Sequence, residues 1–269
     1  MRPAAEAEKL GIPAVVIANS GFAALARITA RAAGVSDLRV AQYPGALGID
    51  DFDRIERNIR EALFPNIVEG LTKDTAQASD GTAANEWDPR RIVFTGSSDD
   101  VNRYFRQQDW TDGLPIVPPT TERVEAFLRF VDCAPDEEIG VLPPTNKKAV
   151  PWTVAVNGVM AGCQPCHMPV LMAAVRALAD PLFNINNMGS TSALLPFVLV
   201  NGPIIAQLGF ESGAQLMSRG INPVIGRAVG LIFKNIAGFV PGKNYMGTFG
   251  YPLVFALPED ELGSPWESF

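Results

Sequence analysis

The sequence predicts an α/β protein: an incomplete parallel βα layer over residues 1–72, then, past a linker at residues 73–90, a larger α+β domain over residues 91–269. Three observations predict it. Strand-like and helix-like patterns alternate through the first 72 residues, as they do in parallel sheets built with right-handed crossovers. Residues 73–90, KDTAQASDGTAANEWDPR, are small and polar with no period, which is how a linker reads. Beyond them the alternation stops, and residues 149–210 carry only Arg176 and Asp180 as full charges, which marks a buried core or a subunit interface.

In chain order, IPAVVIA (residues 12–18) is an unbroken apolar run of strand length, and GFAALARITARAAG (21–34) is an amphipathic helix closed by glycine. LRVAQYPG (38–45) gives a second strand. DDFDRIERNIREALFPNIVEGL (50–71) is a helix whose acidic first turn suits the helix dipole. Two parallel strands do not make a doubly wound layer, so the remaining strands are expected from elsewhere. In the second domain RIVFTG (91–96) reads as a strand. SSDDVNRYFRQQ (97–108) and TTERVEAFLRFV (120–131) read as helices entered by Ser and Thr caps, with DWTDGLPIVPPT between them as a stiff loop. PWTVAVNGVMAG and PVLMAAVRALAD are two helices separated by Gly162 and the cysteines. FVLVNGP is a strand entering a turn, and NPVIGRAVGLIFKNIAG is an apolar helix with Pro223 in its first turn and Gly238 past its end. The segment from residue 251 is a strand followed by an acidic tail.

Composition narrows the function classes. A net charge of -7 with no Lys/Arg cluster excludes nucleic acid, leaving a small-molecule substrate or another protein as the expected partner. The purest apolar run, residues 193–200, is eight residues long with a proline inside, too short for a membrane span. Three cysteines are too few for a secreted disulfide framework, and no signal-length apolar stretch precedes the first strand; a cytoplasmic location is expected.

The stretch VMAGCQPCHMPVL (159–171) holds Cys163, Cys166 and the only histidine, His167. Four readings stay open for it. Two cysteines separated by two residues at a helix start suit a redox pair or a nucleophilic thiolate, and the pattern resembles the Cys-Gly-Pro-Cys site of thioredoxin-like proteins over about a dozen residues. Cys-x-x-Cys-His is also the haem attachment signature. Cys163, Cys166, His167 and Met168 are soft donors for Cu(I) or Zn, with Cys133 or a carboxylate required to complete a zinc site. The fourth reading is packing, with the thiols acting as small hydrophobes and His167 as a cap. Asp112, Asn157, Asn201 and Asn222 are candidate pocket residues, or else turn formers. Arg219 and Arg227, in a region poor in charge, suit a substrate carboxylate or phosphate, or a pairing with Glu211. Glu259, Asp260 and Glu261 read as a solvated tail, and GSSDD (96–100) is at most a faint phosphate loop.

EAEKLGIPAVVIANSGFAALAR (6–27), DGLPIVPPTTERVEAFL (112–128), VAVNGVMAGCQP (154–165), FVLVNGPI (197–204) and SPW (264–266) together resemble the UGSC-type family of selenoproteins and their cysteine homologues. The resemblance implies an α/β first domain, of which residues 6–27 match the part after a Sec/Cys-Gly-Ser-Cys motif, and a second domain like residues 91–269. That motif is absent from this sequence. Relatives carry Glu and an aromatic where this chain has Cys166 and His167, so the resemblance carries over Cys163 and leaves Cys166 as a local addition. It implies thiol or selenol redox chemistry and a partner subunit, or a second copy, that completes the N-terminal sheet. The expectation is a subunit of a thiol-dependent enzyme with Cys163 as nucleophile, Cys166 as resolving thiol and His167 as acid/base. A metal- or haem-binding component and a non-catalytic assembly subunit are the alternatives, and no cofactor is fixed.

Overall fold

The computed structural model describes residues 2–32, 35, 37–45, 49–72, 88–183, 185, 195–241, 245 and 254–267. Most of the expected linker, residues 73–87, and the expected helix-closing Gly34 lie outside the described residues. The chain is a mixed α/β protein divided into two compact units, one within residues 1–87 and one within Asp88–Pro241 and Tyr245–Phe269. Among the described residues no helix is long and apolar enough to cross a membrane.

In the first unit β1 (Val15–Asn19) and β2 (Arg39–Tyr43) pair in parallel, Val15 opposite Arg39 and Asn19 opposite Tyr43. Alternation of side chains gives the ribbon two faces. Val16 and Ala18 pack on one with Ala26 and Ala30 of α2 (Ala23–Ala32), Leu38, and Ala5 of a short helix α1 (Arg2–Lys9) that the sequence reading passed over. Val15, Ala41 and Tyr43 pack on the other with Leu63 and Ile67. Asp51 caps α3 (Phe52–Asn58) by accepting from Arg54 N at 2.8 Å. A π-turn, Ile59–Leu63, then leads into α4 (Phe64–Thr72). Pro65 explains the wider turn: it has no N–H to give to the preceding turn and its ring crowds the carbonyl there, so the backbone relaxes to the Phe64 N to Ile59 O bond. Gly70 lets α4 approach the sheet, since a Cβ there would lie 2.7 Å from Val15 Cγ2. The layer is two strands wide among the described residues, as expected of an incomplete βα layer.

The second unit is built on three apolar helices, α7 (Pro151–Ala161), α8 (Met168–Ala179) and α10 (Asn222–Ile232). Val154, Met160, Met168, Leu171, Val175, Ile225 and Leu231 fill their common core. α5 (Ser98–Gln107) and α6 (Thr121–Leu128) add Phe105, Val124 and Phe127 to it. A hairpin of β3 (Gly140–Leu142) and β4 (Lys147–Ala149) precedes α7, and a parallel pair forms between β5 (Phe197–Val200) and β6 (Phe255–Pro258), flanked by a short α9 (Ile204–Leu208). Two glycines permit close packing. A Cβ on Gly158 would meet Leu171 and Phe127 at 2.8 and 3.0 Å, and one on Gly226 would lie 1.9 Å from the Val254 carbonyl oxygen. α10 continues as a π-turn, Phe233–Ala237, ended by Gly238 at φ +85°. Thr145 of the hairpin turn closes that end, its N–H donating to Ala237 O at 3.2 Å and its hydroxyl to Ile236 O at 2.7 Å.

One strand expectation fails. RIVFTG forms no strand; Ile92, Val93 and Phe94 are exposed, and Phe94 stacks on Tyr104 of α5 with ring centroids 4.6 Å apart. An apolar run becomes a strand only where a partner edge exists, and here an aromatic neighbour took its place. Ser97 caps α5 as expected, accepting from Asp100 N at 3.3 Å, which gives GSSDD a structural role. Thr120 precedes α6 in extended conformation with no capping bond from its side chain.

Candidate functional site

Cys163 follows α7 rather than opening α8. The helix ends at Gly162, φ +91°, whose N–H donates to Val159 O at 2.9 Å, while Cys163 N donates to Gly158 O at 3.0 Å. Those two bonds define a Schellman end, a motif that places an apolar residue just past its glycine against the last helical turn. Cys163 occupies that place and packs on the core, with its Sγ 3.7 Å from Val224 O of α10. It stands at the negative end of the α7 dipole and gives its proton to a carbonyl, both of which oppose a thiolate. Burial pushes the Cys163 thiol up to about 12, the neighbouring Cys166 adds to the rise, and Arg227 opposes it.

Cys166 and His167 belong to the 3₁₀ turn Pro165–His167 that leads into α8. Cys166 Sγ lies 4.0 Å from Gln164 Oε1. His167 is buried, and its Nδ1 accepts from Gln164 N at 3.2 Å. Burial lowers its pKa from the ordinary histidine value, which favours the neutral ring, and the Gln164 N–H occupies Nδ1. All three cysteines are free thiols. Among the described residues no three His, Cys, Asp or Glu side chains converge as a metal-ligating group.

Three candidate polar residues meet instead at the loop between α5 and α6: Asp112 on it, Arg227 against it and Asn157 through Asn235. Asp112, its carboxylate fully buried, accepts from Arg227 Nε at 2.7 Å, from Arg227 Nη2 at 2.9 Å and from Leu114 N at 3.1 Å. Arg227 also donates to Pro115 O at 2.9 Å. This is a bidentate fork on a buried carboxylate, and it engages Nε and Nη2 of the guanidinium that the sequence offers to a substrate or to Glu211. Asn157 is buried within α7, donating to Thr153 O at 2.9 Å and accepting from Asn235 Nδ2 at 2.8 Å. Asn235 Nδ2 donates further to Trp110 O. Lys234, 5% exposed, donates to Asp109 Oδ1 at 2.7 Å and Thr111 O at 2.5 Å. Arg227, Lys234 and Asn235 thus fasten residues 109–115 to α10 and its π-turn at three points. Sequence reasoning missed Lys234, Asn235 and Asp109. The available signal was a lysine and an asparagine inside the apolar run of α10, where polar groups stay only with partners.

The remaining candidates sit elsewhere. Asn201 Nδ2 donates to Glu259 Oε2 at 3.4 Å, and Gly202 N donates to Glu261, so the acidic tail grips the turn after β5. Asn222 is buried and braces a loop: its Oδ1 accepts from Glu211 N, and its Nδ2 donates to the carbonyls of Glu211 and Leu216. Arg219 is exposed and pairs with no described carboxylate.

Compared with known proteins, residues 1–73 match the model of the UGSC family. The match covers β1, β2 and α1 to α4, and contains residues 6–27, which carry the resemblance. No curated protein and no solved structure matches the chain.

Proposed function

We propose that the chain is a binding and assembly subunit of a thiol-dependent system, and that its first unit is the surface completed by another chain or a second copy. The observation that carries this is a parallel sheet two strands wide among the described residues, with apolar side chains exposed around it. Ile17 of β1 is 56% exposed, and Phe64, Val68 and Leu71 form an exposed stripe on α4 at helical spacing. Parallel sheets are normally buried on both faces and wider than two strands, so an isolated pair is marginal. A neighbouring strand would pair with the free edge of β1 or β2, and an apolar neighbour would cover the stripe. Three free thiols suit a reducing compartment, the cytoplasm.

Sedimentation velocity tests the reading. The purified chain is expected to associate with rising concentration, and Phe64→Glu with Leu71→Glu to weaken that association while leaving the helix signal unchanged. Identical sedimentation for wild type and the double variant would count against it.

A second reading, thiol catalysis at Cys163, draws on one observation, the Arg227 charge that acts to lower the Cys163 pKa. In the resting arrangement Asp112 neutralises that charge. Catalysis would require a bound ligand or partner to part the Asp112–Arg227 pair. A metal or haem at Cys163, Cys166 and His167 would require the Gln164 N–H bond to Nδ1 to break, either to free Nδ1 or to let it take the ring proton so that Nε2 can ligate.

A further inference from the structure

We propose that the groove between α5 and the loop at residues 111–118 binds a small oxyanion, a carboxylate or phosphate group, through Arg103 and Arg106. The groove is open to solvent, offers about 560 Å³, and is lined by Asp99, Asn102, Arg103, Arg106, Gln107 and Pro115. That volume is in the range of small-molecule sites. Five of the six come from one face of α5, at helical spacing, and the opposite face buries Phe105.

The wall is built before any ligand arrives. Asn102 Oδ1 accepts from Ile116 N at 2.7 Å and its Nδ2 donates to Ile116 O at 3.1 Å, which pins the loop to the helix. From the other side Arg227 holds Pro115 O. Prolines at 115, 118 and 119 stiffen the same stretch. A pinned loop loses little conformational freedom on binding.

The lining carries two arginines and one carboxylate, Asp99, a net charge of +1 on a chain that carries -7 overall. Arg103 and Arg106, three residues apart, project from neighbouring positions on the helix. Arg103 is shared with Asp100 at 3.0 Å, while Arg106 is exposed and forms no ion pair among the described residues. A guanidinium fork matches the two oxygens of a carboxylate or phosphate, which selects oxyanions over chloride. Asp99 at the far end and the Gln107 amide suit hydroxyl or amine groups on the rest of the ligand.

Isothermal titration of the full chain with succinate and, separately, with inorganic phosphate tests this, at ionic strength matched with sodium chloride. Saturable binding of at least one probe is expected; the tighter of the two identifies the class. Arg106→Gln should weaken it about tenfold or more, and Arg106→Lys should fall between, because a lysine keeps the charge and loses the fork. Arg129→Gln, a change on an exposed arginine outside the groove, should leave it unaltered. Both groove arginines are exposed, so thermal unfolding of their variants is expected to match wild type. No saturable binding of either probe, or binding equally strong in Arg106→Gln, overturns the proposal.

Discussion

At the scale of single residues, Cys163 and His167 show how burial sets chemistry. A thiol raised to about 12 is protonated throughout the physiological range, so Cys163 is expected to react with iodoacetamide far more slowly than Cys166 at pH 8. Asp112→Asn removes the charge that neutralises Arg227, and should speed Cys163 alkylation measured by peptide mass spectrometry; an unchanged rate would mean that Arg227 does not reach the thiol electrostatically. The raised thiol pKa also favours the folded state below the ordinary cysteine value, and that stability is lost as pH rises toward about 12. For His167 the sign is reversed. Its folded pKa is lowered, so the unfolded chain binds the proton more readily, and stability present above about 6.5 is lost as pH falls below it. The melting temperature is expected to drop between pH 7 and 5, and to drop less in His167→Gln.

The sequence made the candidates visible at this scale but not their partners. Asp112 stood out beside a glycine in a stiff loop and Arg227 because charge is scarce around it, yet no pattern says that residues so far apart in the chain form one fork. Cys163 was legible as a residue following a helix-closing glycine, which already favours packing over a helix N-terminus. The Cys-x-x-Cys spacing drew attention away from that.

At the scale of elements, hydrophobic periodicity located α2, the helical run from α3 through α4, α5, α6, α7, α8 and α10, and four of the strands. The hairpin of β3 and β4 was missed because three-residue strands have no period to read. RIVFTG was misread because strand propensity says nothing of whether a partner edge is available. One π-turn follows from local chemistry, Pro65; the other, Phe233–Ala237, carries Lys234 and Asn235, two of the three side chains that fasten residues 109–115. That fastening is testable. Lys234→Met removes the ammonium that donates to Asp109 and Thr111 O and should cost about 1–3 kcal/mol in urea unfolding. Gly226→Ala forces a methyl into the Val254 carbonyl and should cost about 3 kcal/mol by the same measurement. A neutral Gly226→Ala would mean that α10 does not pack against β6 as described.

At the scale of the molecule, the two units differ in how fully they close. The second buries a continuous core through α7, α8 and α10, while the first divides its apolar contacts between two small clusters on either side of a two-stranded ribbon. The incomplete layer was legible in the sequence because strand and helix patterns can be counted; what completes it was not, since a free edge carries no record of its partner. The central claim is that the first unit needs an added strand. Amide hydrogen exchange by mass spectrometry, with the association state fixed by sedimentation, tests this most directly. The account predicts that amides of Val15–Asn19 and Arg39–Tyr43 exchange quickly in the monomer and slow markedly on association, while those of α7 and α10 stay slow in both states. A monomer in which β1 and β2 are as protected as α7 and α10 would contradict it.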